Sequence, residues 1–146
     1  MAVLSTLADA VLGVLNDGDF CMEFTATRKY QPTSTLKDMA DLHVTVVPGD
    51  QTCVPQSRSK DLWTYTVEVG IQQRCDPDDN DIVDDLLSLV EELIDQFRGI
   101  RISDIDGING AAWTKSENSP TFSREHMQEK RQFTSVIVLT FIMSRQ

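Results

Sequence analysis

The chain has 146 residues with 40% hydrophobic and 25% charged content, enough for one domain with a real core and no need of disulfides or metal. Its formal charge of −10 argues against a protein whose main task is to grip DNA or RNA, because phosphate binding depends on Lys and Arg. No apolar run approaches the roughly 18–20 residues of a membrane span.

Residues 4–16 place Leu4, Leu7, Ala8, Val11, Val14 and Leu15 on one helical face, and Asn16-Asp17-Gly18 supplies the stop. Asp9 inside the apolar pattern and the lack of a basic start favour an amphipathic helix over a signal peptide, so the expected protein is made and used without export. From Phe20 the period changes to two. Phe20, Met22, Phe24 and Ala26 alternate with Cys21, Glu23, Thr25 and Thr27 as in a half-buried strand, ended by the run from Tyr30 to Ser34.

A second strand is expected over Leu42–Val47, halted by Pro48-Gly49, with a long loop over 48–61 before the third. Trp63, Tyr65, Val67, Val69 and Ile71 then alternate with polar residues in the clearest strand of the chain. Between Asp76 and Arg98 stand nine acids against a single base, a local charge of −8. Pro77 and the aspartates after it suit a helix start, and Ile82, Leu86, Leu89, Val90, Leu93 and Phe97 form the apolar stripe of that helix, which Gly99 ends.

Residues 103–121 predict a turn, a short strand around Trp113 and a loop; REHMQEKRQ is a helical turn or an exposed connection. The last strand, Phe133–Met143, is apolar on both faces, the pattern of a central strand covered on both sides. The expected fold is α+β: a mostly antiparallel sheet of about four to five strands with two main helices packed on it, in the order α-β-β-β-α-(β)-β, as one domain over 1–146.

Signals for chemistry are sparse. DPDDNDIVDDLL fits a calcium loop at its first, third and fifth positions, but Asp81 stands where Gly belongs and Leu87 where the bidentate Glu belongs. DIDGING fails likewise, with Ile108 and Lys115 at ligand positions. Cys21, Cys53 and Cys75 are an odd, widely spaced set, read as reduced cysteines packed like small apolar residues; they do not reach ligand spacing with His43 or His126. His43 reads as a satisfied sheet histidine and His126 as solvated. Neither a nucleophile elbow nor a phosphate loop is present. The expectation is therefore no catalytic, metal or cofactor residues and no enzyme. An elaborate loop carrying Arg58 instead points to protein contact, for which an acidic copy of the same chain is a natural partner.

FTATRKYQPTSTLKDMADLHVTVVP, SRSKDLWTYTVEVGIQQR, DDLLSLVEELIDQF and the closing RQFTSVIVLTF, with the opening helix, together resemble the tail terminator and head–tail joining proteins of long-tailed bacteriophages. The resemblance covers nearly the whole chain and is weak over 100–125. It implies a small α+β subunit that assembles into a ring, a hexamer, on the head-proximal end of the tail tube in the virion, after assembly in the host cytoplasm. Its implied partners are copies of itself, the tail tube protein and a neck or head completion protein, with phage DNA passing through the lumen unbound and no membrane involved. Arg28, Pro55, Arg58, Lys60 and Arg74 are the candidate subunit-interface residues. Asp76, Asp78, Asp79 and Asp81 are candidates for an acidic lumen or a neighbour-facing surface, since a conduit for DNA should repel phosphate. Another neck component is the nearest rival reading, followed by a small hydrolase or ligand-binding domain and a nucleic-acid-binding module.

Overall fold

The computed structural model describes residues 2–30, 42–102 and 110–145. Helix α1 (Val3–Asp17) is followed by strands β1 (Ala26–Arg28), β2 (His43–Pro55) and β3 (Asp61–Arg74), helix α2 (Asn80–Phe97), strands β4 (Arg101–Ile102) and β5 (Ala111–Glu117), helix α3 (Arg124–Lys130) and strand β6 (Gln132–Arg145). The strands form a six-stranded sheet in the order β1-β2-β3-β6-β5-β4. Only the short β1–β2 pair is parallel; the others are antiparallel. The α+β, mostly antiparallel fold is thus as expected, with one additional two-residue strand and a third helix of seven residues.

The core follows from the two periodicities. Tyr65, Val67, Val69 and Ile71 on β3 meet Phe141, Leu139, Ile137 and Ser135 on β6 on the same face of the sheet. Leu7, Val11 and Leu15 of α1 and Leu86, Leu89, Leu93 and Phe97 of α2 bury against that face, all 1% exposed or less. Each such side chain contributes roughly 1.5–3 kcal/mol relative to exposure, so both helices are firmly docked. Asp79 caps α2 by accepting a hydrogen bond from the Ile82 N–H at 3.3 Å. Gly99, at φ +74°, takes the left-handed conformation that ends this segment.

Three expectations are corrected. The alternating run from Phe20 to Ala26 is a strand only at its end, because among the described residues its ladder partners are only Val44–Val46, opposite Ala26–Arg28. Phe20, Met22 and Phe24 still pack against the core, as an irregular segment in which the Phe20 and Phe24 rings stack at 5.5 Å. Pro48-Gly49 does not stop β2. The pairing with β3 shifts register between Pro48 and Gln51, a bulge, and then continues to Pro55. Proline is tolerated because the outer neighbour β1 reaches no further than Val46, so that among the described residues no strand pairs with β2 on that side at Pro48. Gly49 is required by close approach: a Cβ there would lie 2.9 Å from the Thr66 carbonyl oxygen.

The third correction concerns β6. It lies in the sheet interior between β3 and β5, but α1 and α2 pack on only one face of the sheet, and the other face of β6 meets a described helix at Thr134, where His126 of α3 reaches it. Val136 on the other face is 39% exposed, while Thr140 is shaded to 7% by its sheet neighbours. Apolar residues on both faces therefore mark a central position without a second helical layer among the described residues. The run 31–34 and most of DIDGING lie outside the described residues.

Candidate functional site

The expected loop of residues 48–61 is a β-hairpin whose arms are β2 and β3, closed by only five residues, Gln56–Lys60. The Gln56 and Ser57 N–H groups both donate to the Lys60 carbonyl, at 3.1 and 3.0 Å. The Ser144 hydroxyl donates to the Gln56 side-chain oxygen at 2.8 Å, tying the tip to the end of β6. Because β3 pairs with β6 over its whole length, from Asp61–Arg145 to Arg74–Gln132, the hairpin is backed by a third strand and is held rigidly. Every residue from Asp50 to Lys60 is exposed.

This places Pro55, Arg58 and Lys60 together at one end of the sheet. Among the described residues neither Arg58 nor Lys60 has an ion pair; the two ion pairs present are Arg28–Asp9 and Lys115–Glu117. Just below the tip, the Arg145 guanidinium lies 4.9 Å from the centre of the Trp63 ring and donates to the Tyr65 hydroxyl at 2.9 Å. These contacts hold Arg145 against the sheet, so among the described residues the cations left without such partners at this end are those of the tip.

The other candidates are elsewhere. Arg28 is engaged within its own subunit: its Nε lies 3.2 Å from an Asp9 carboxylate oxygen, Nη1 donates to the Ser5 carbonyl at 3.4 Å, and the group stacks 5.5 Å from the Tyr30 ring centre. Arg74 is the last residue of β3, thirteen positions from Asp61, which at a strand rise of ~3.3 Å puts it about 43 Å from the tip end. Asp76 and Asp79 accept locally from the Asp78 and Ile82 N–H groups; Asp76, Asp78 and Asp81 are exposed and Asp79 is half-buried. The five interface candidates thus form no single patch.

The titratable groups offer little for catalysis. Cys21 and Cys53 are exposed and only Cys75 is buried, so the expectation of packed cysteines holds for one of the three. Partial desolvation, then the adjacent carboxylates of Glu92 and Asp85, push the Cys21 thiol up to about 11, opposite to what a nucleophile needs. Glu92 is correspondingly lowered by its hydrogen bonds with Cys21. Burial raises the Cys75 thiol, whose Sγ lies 3.6 Å from the Met127 sulfur. His126 is not solvated as expected. It is half-buried on α3, its N–H accepted by the capping Ser123 hydroxyl and its Nδ1 2.9 Å from the Thr134 hydroxyl. Among the described residues, no three His, Cys, Asp or Glu side chains come together as metal ligands. A cleft of about 530 Å³ between the end of α1 and the segment after it is lined by Leu15 and Asn16 and by residues of the stretch from Gly18 to Thr25, among them Phe20, Met22 and Phe24. No helix among the described residues is long and apolar enough to cross a membrane.

No family model matches the chain, and no curated protein matches it. Among solved structures the chain is similar to the sheath/tube terminator of an extracellular contractile injection system, PVC, determined by cryo-EM in the extended state. The TM-score is 0.45 and the identity 14%, over 100% of this chain and 57% of the other.

Proposed function

We propose that this chain is a structural subunit that assembles into a ring, a hexamer, at the head-proximal end of a phage-type tail, where it ends tube polymerisation and joins the tail to the neck. The observation that carries the reading is the rigid hairpin tip: eleven consecutive exposed residues presenting Arg58 and Lys60 without an ion pair among the described residues, on a chain of net charge −10. A cationic arm on an acidic body fits a neighbouring copy of that body, and a head-to-tail contact of this kind closes into a ring when the rotation permits. The residue pattern shared with tail terminators supports the same reading. The function so described is one of complementary surfaces and involves no bond chemistry.

The direct test is immunogold electron microscopy of particles with antibody against this chain. Label confined to the head–tail junction is expected; particles that never carry it there refute the placement. In the purified protein, Arg58→Glu should abolish ring formation while leaving the far-UV spectrum and melting of the monomer unchanged. A ring that survives the substitution removes the arm from the mechanism. The same reading sets Asp78, Asp79 and Asp81 near the lumen, where they repel phosphate within a Debye length of ~8 Å at physiological salt. Replacing all three by Asn should slow DNA ejection, and unchanged ejection and titre would discard that role.

A further inference from the structure

At the end of the sheet opposite the hairpin tip, the fold gathers cations that are far apart in sequence. Arg74, the last residue of β3, pairs with Gln132 at the start of β6. The Cys75 N–H donates to the Arg131 carbonyl at 2.9 Å, which locks the exit of β3 against the junction of α3 and β6. Arg131 itself takes the left-handed conformation, φ 51°, that turns the chain from α3 into β6. Arg74, Lys130 and Arg131 therefore ring one cleft of about 450 Å³, whose remaining walls are Cys75, Asp76 and Ile82. The three cations are exposed, and none has an ion pair or side-chain hydrogen bond among the described residues. Ile82 adds a large apolar side chain left 36% exposed at the cleft wall. Among its lining residues Asp76 is the one acid against three cations, on a chain of net charge −10, and the Asp79 carboxylate, near enough to raise the Cys75 thiol, flanks them.

The complementary surface is on the same chain. Asp84, Ser88, Glu91 and Asp95 recur at i, i+4, i+7 and i+11 along α2, all exposed, on the side opposite the buried stripe of Leu86, Leu89, Leu93 and Phe97. This acidic ridge runs about 16 Å at the helical rise of ~1.5 Å per residue. Glu91 lies nine residues beyond Ile82, about two and a half turns, so the ridge points away from the cleft that Ile82 lines. A chain cannot fill its own cleft with this ridge, but a second copy can.

We propose that the Arg74–Lys130–Arg131 cleft receives the acidic ridge of α2 from a neighbouring copy of this chain. The contact is heterologous, with Asp84, Glu91 and Asp95 of one subunit facing the three cations of the next and Ile82 supplying apolar contact at the centre. It rests on the ring reading above and names a second subunit contact, distinct from the hairpin tip. Charge pairs of this kind set register and steer association, and they weaken as salt rises.

The test is sedimentation velocity of the full chain at 0.15 and 0.5 M salt, using three charge-reversal variants. Arg74→Glu with Lys130→Glu makes the cleft acidic, Asp84→Lys with Glu91→Lys makes the ridge basic, and the third carries all four substitutions. Each pair alone should weaken self-association at least tenfold. The four-fold variant, and an equimolar mixture of the two pair variants, should restore it, because every cleft then again faces a ridge of opposite sign. Higher salt should weaken the wild-type assembly. Arg74→Gln with Lys130→Gln serves if a reversal unfolds the chain, with the same expected loss of at least tenfold. Wild-type rings that persist in the cleft variants, or pair variants that the mixture fails to rescue, overturn this contact and leave the ring itself standing. A wild-type chain that stays monomeric throughout overturns both. Cleft-dependent retention of duplex DNA, with assembly unaffected, overturns the contact in favour of a nucleic acid.

Discussion

Asn16 gives the sharpest test of how the segment between α1 and the sheet is held. Its position in Asn-Asp-Gly suggests only a turn residue, but its side chain acts as a peptide group at the sheet edge. The Oδ1 accepts from the Ala26 N–H at 2.8 Å, and the Nδ2 donates to the Ala26 carbonyl at 3.3 Å. Ala26 is 3% exposed and opens β1, so Asn16→Ala leaves both backbone groups without their protein partner in a place that water reaches poorly. At about 1 kcal/mol per hydrogen bond, with more for an orphaned buried donor, the loss should be about 2 kcal/mol. For an m-value of about 2 kcal/mol/M this lowers the urea midpoint by roughly 1 M. Asn16→Asp keeps the acceptor and loses the donor, so it should fall between wild type and alanine. Amide exchange adds a local readout: Ala26 should lose protection in the alanine variant while Val69 and Leu139 in the sheet centre keep theirs. A midpoint shift below ~0.2 M with Ala26 still protected would refute the role assigned to Asn16.

Two further predictions rest on equally local geometry. With its thiol pushed up to about 11, Cys21 should be alkylated at pH 8 between ten and a hundred times more slowly in the folded chain than in urea; Glu92→Gln should recover part of that rate by removing the carboxylate that holds the proton, and equal folded and unfolded rates would contradict the raised value. Gly49→Ala drives a methyl group towards the Thr66 backbone, so it should cost about 1–3 kcal/mol in chemical denaturation, and a neutral result would show that the bulge relaxes freely.

What the sequence discloses tracks how much of each element is set by its own periodicity. The α1 and α2 stripes and the β3 alternation are local patterns, and Val3–Asp17, Asn80–Phe97 and Asp61–Arg74 fall close to where those patterns predict them. The extent of β2 is not a local property. Pro48-Gly49 reads as a stop, and only the partner β3 with the space beside Thr66 converts it into a bulge. The reverse holds for Phe20–Thr25, which alternates like a strand but has no strand to pair with among the described residues. Arg58 could be singled out from its place between two strands. The cleft could not, because Lys130 and Arg131 join Arg74 only through the register of β3 against β6 and the turn at Arg131. His126 reads as solvated for the same reason, since its partner Thr134 lies across that turn.

The distribution of charge also bears on the symmetry of any self-association. An isologous twofold contact centred on a charged patch sets that patch against its own copy. Here that would oppose cations to cations at the hairpin tip or at the Arg74 cleft, and carboxylates to carboxylates along α2. Each of these arrangements is repulsive, and two like charges 4 Å apart cost about 4 kcal/mol at an effective dielectric constant near 20. Contacts that join unlike patches avoid the cost, either head to tail, with the cationic end of one subunit on the acidic helix of the next, or across a twofold axis that sets cleft on helix and helix on cleft. The fold holds these patches apart: cations without an ion pair among the described residues stand at both ends of β3, at Arg58 and Lys60 just before Asp61 and at Arg74, while the acidic ridge points away from the core along α2. Charge segregation on one subunit thus disfavours contacts of a patch with its own copy and favours those in which the cations of one copy meet the acidic helix of another, as the proposed ring requires.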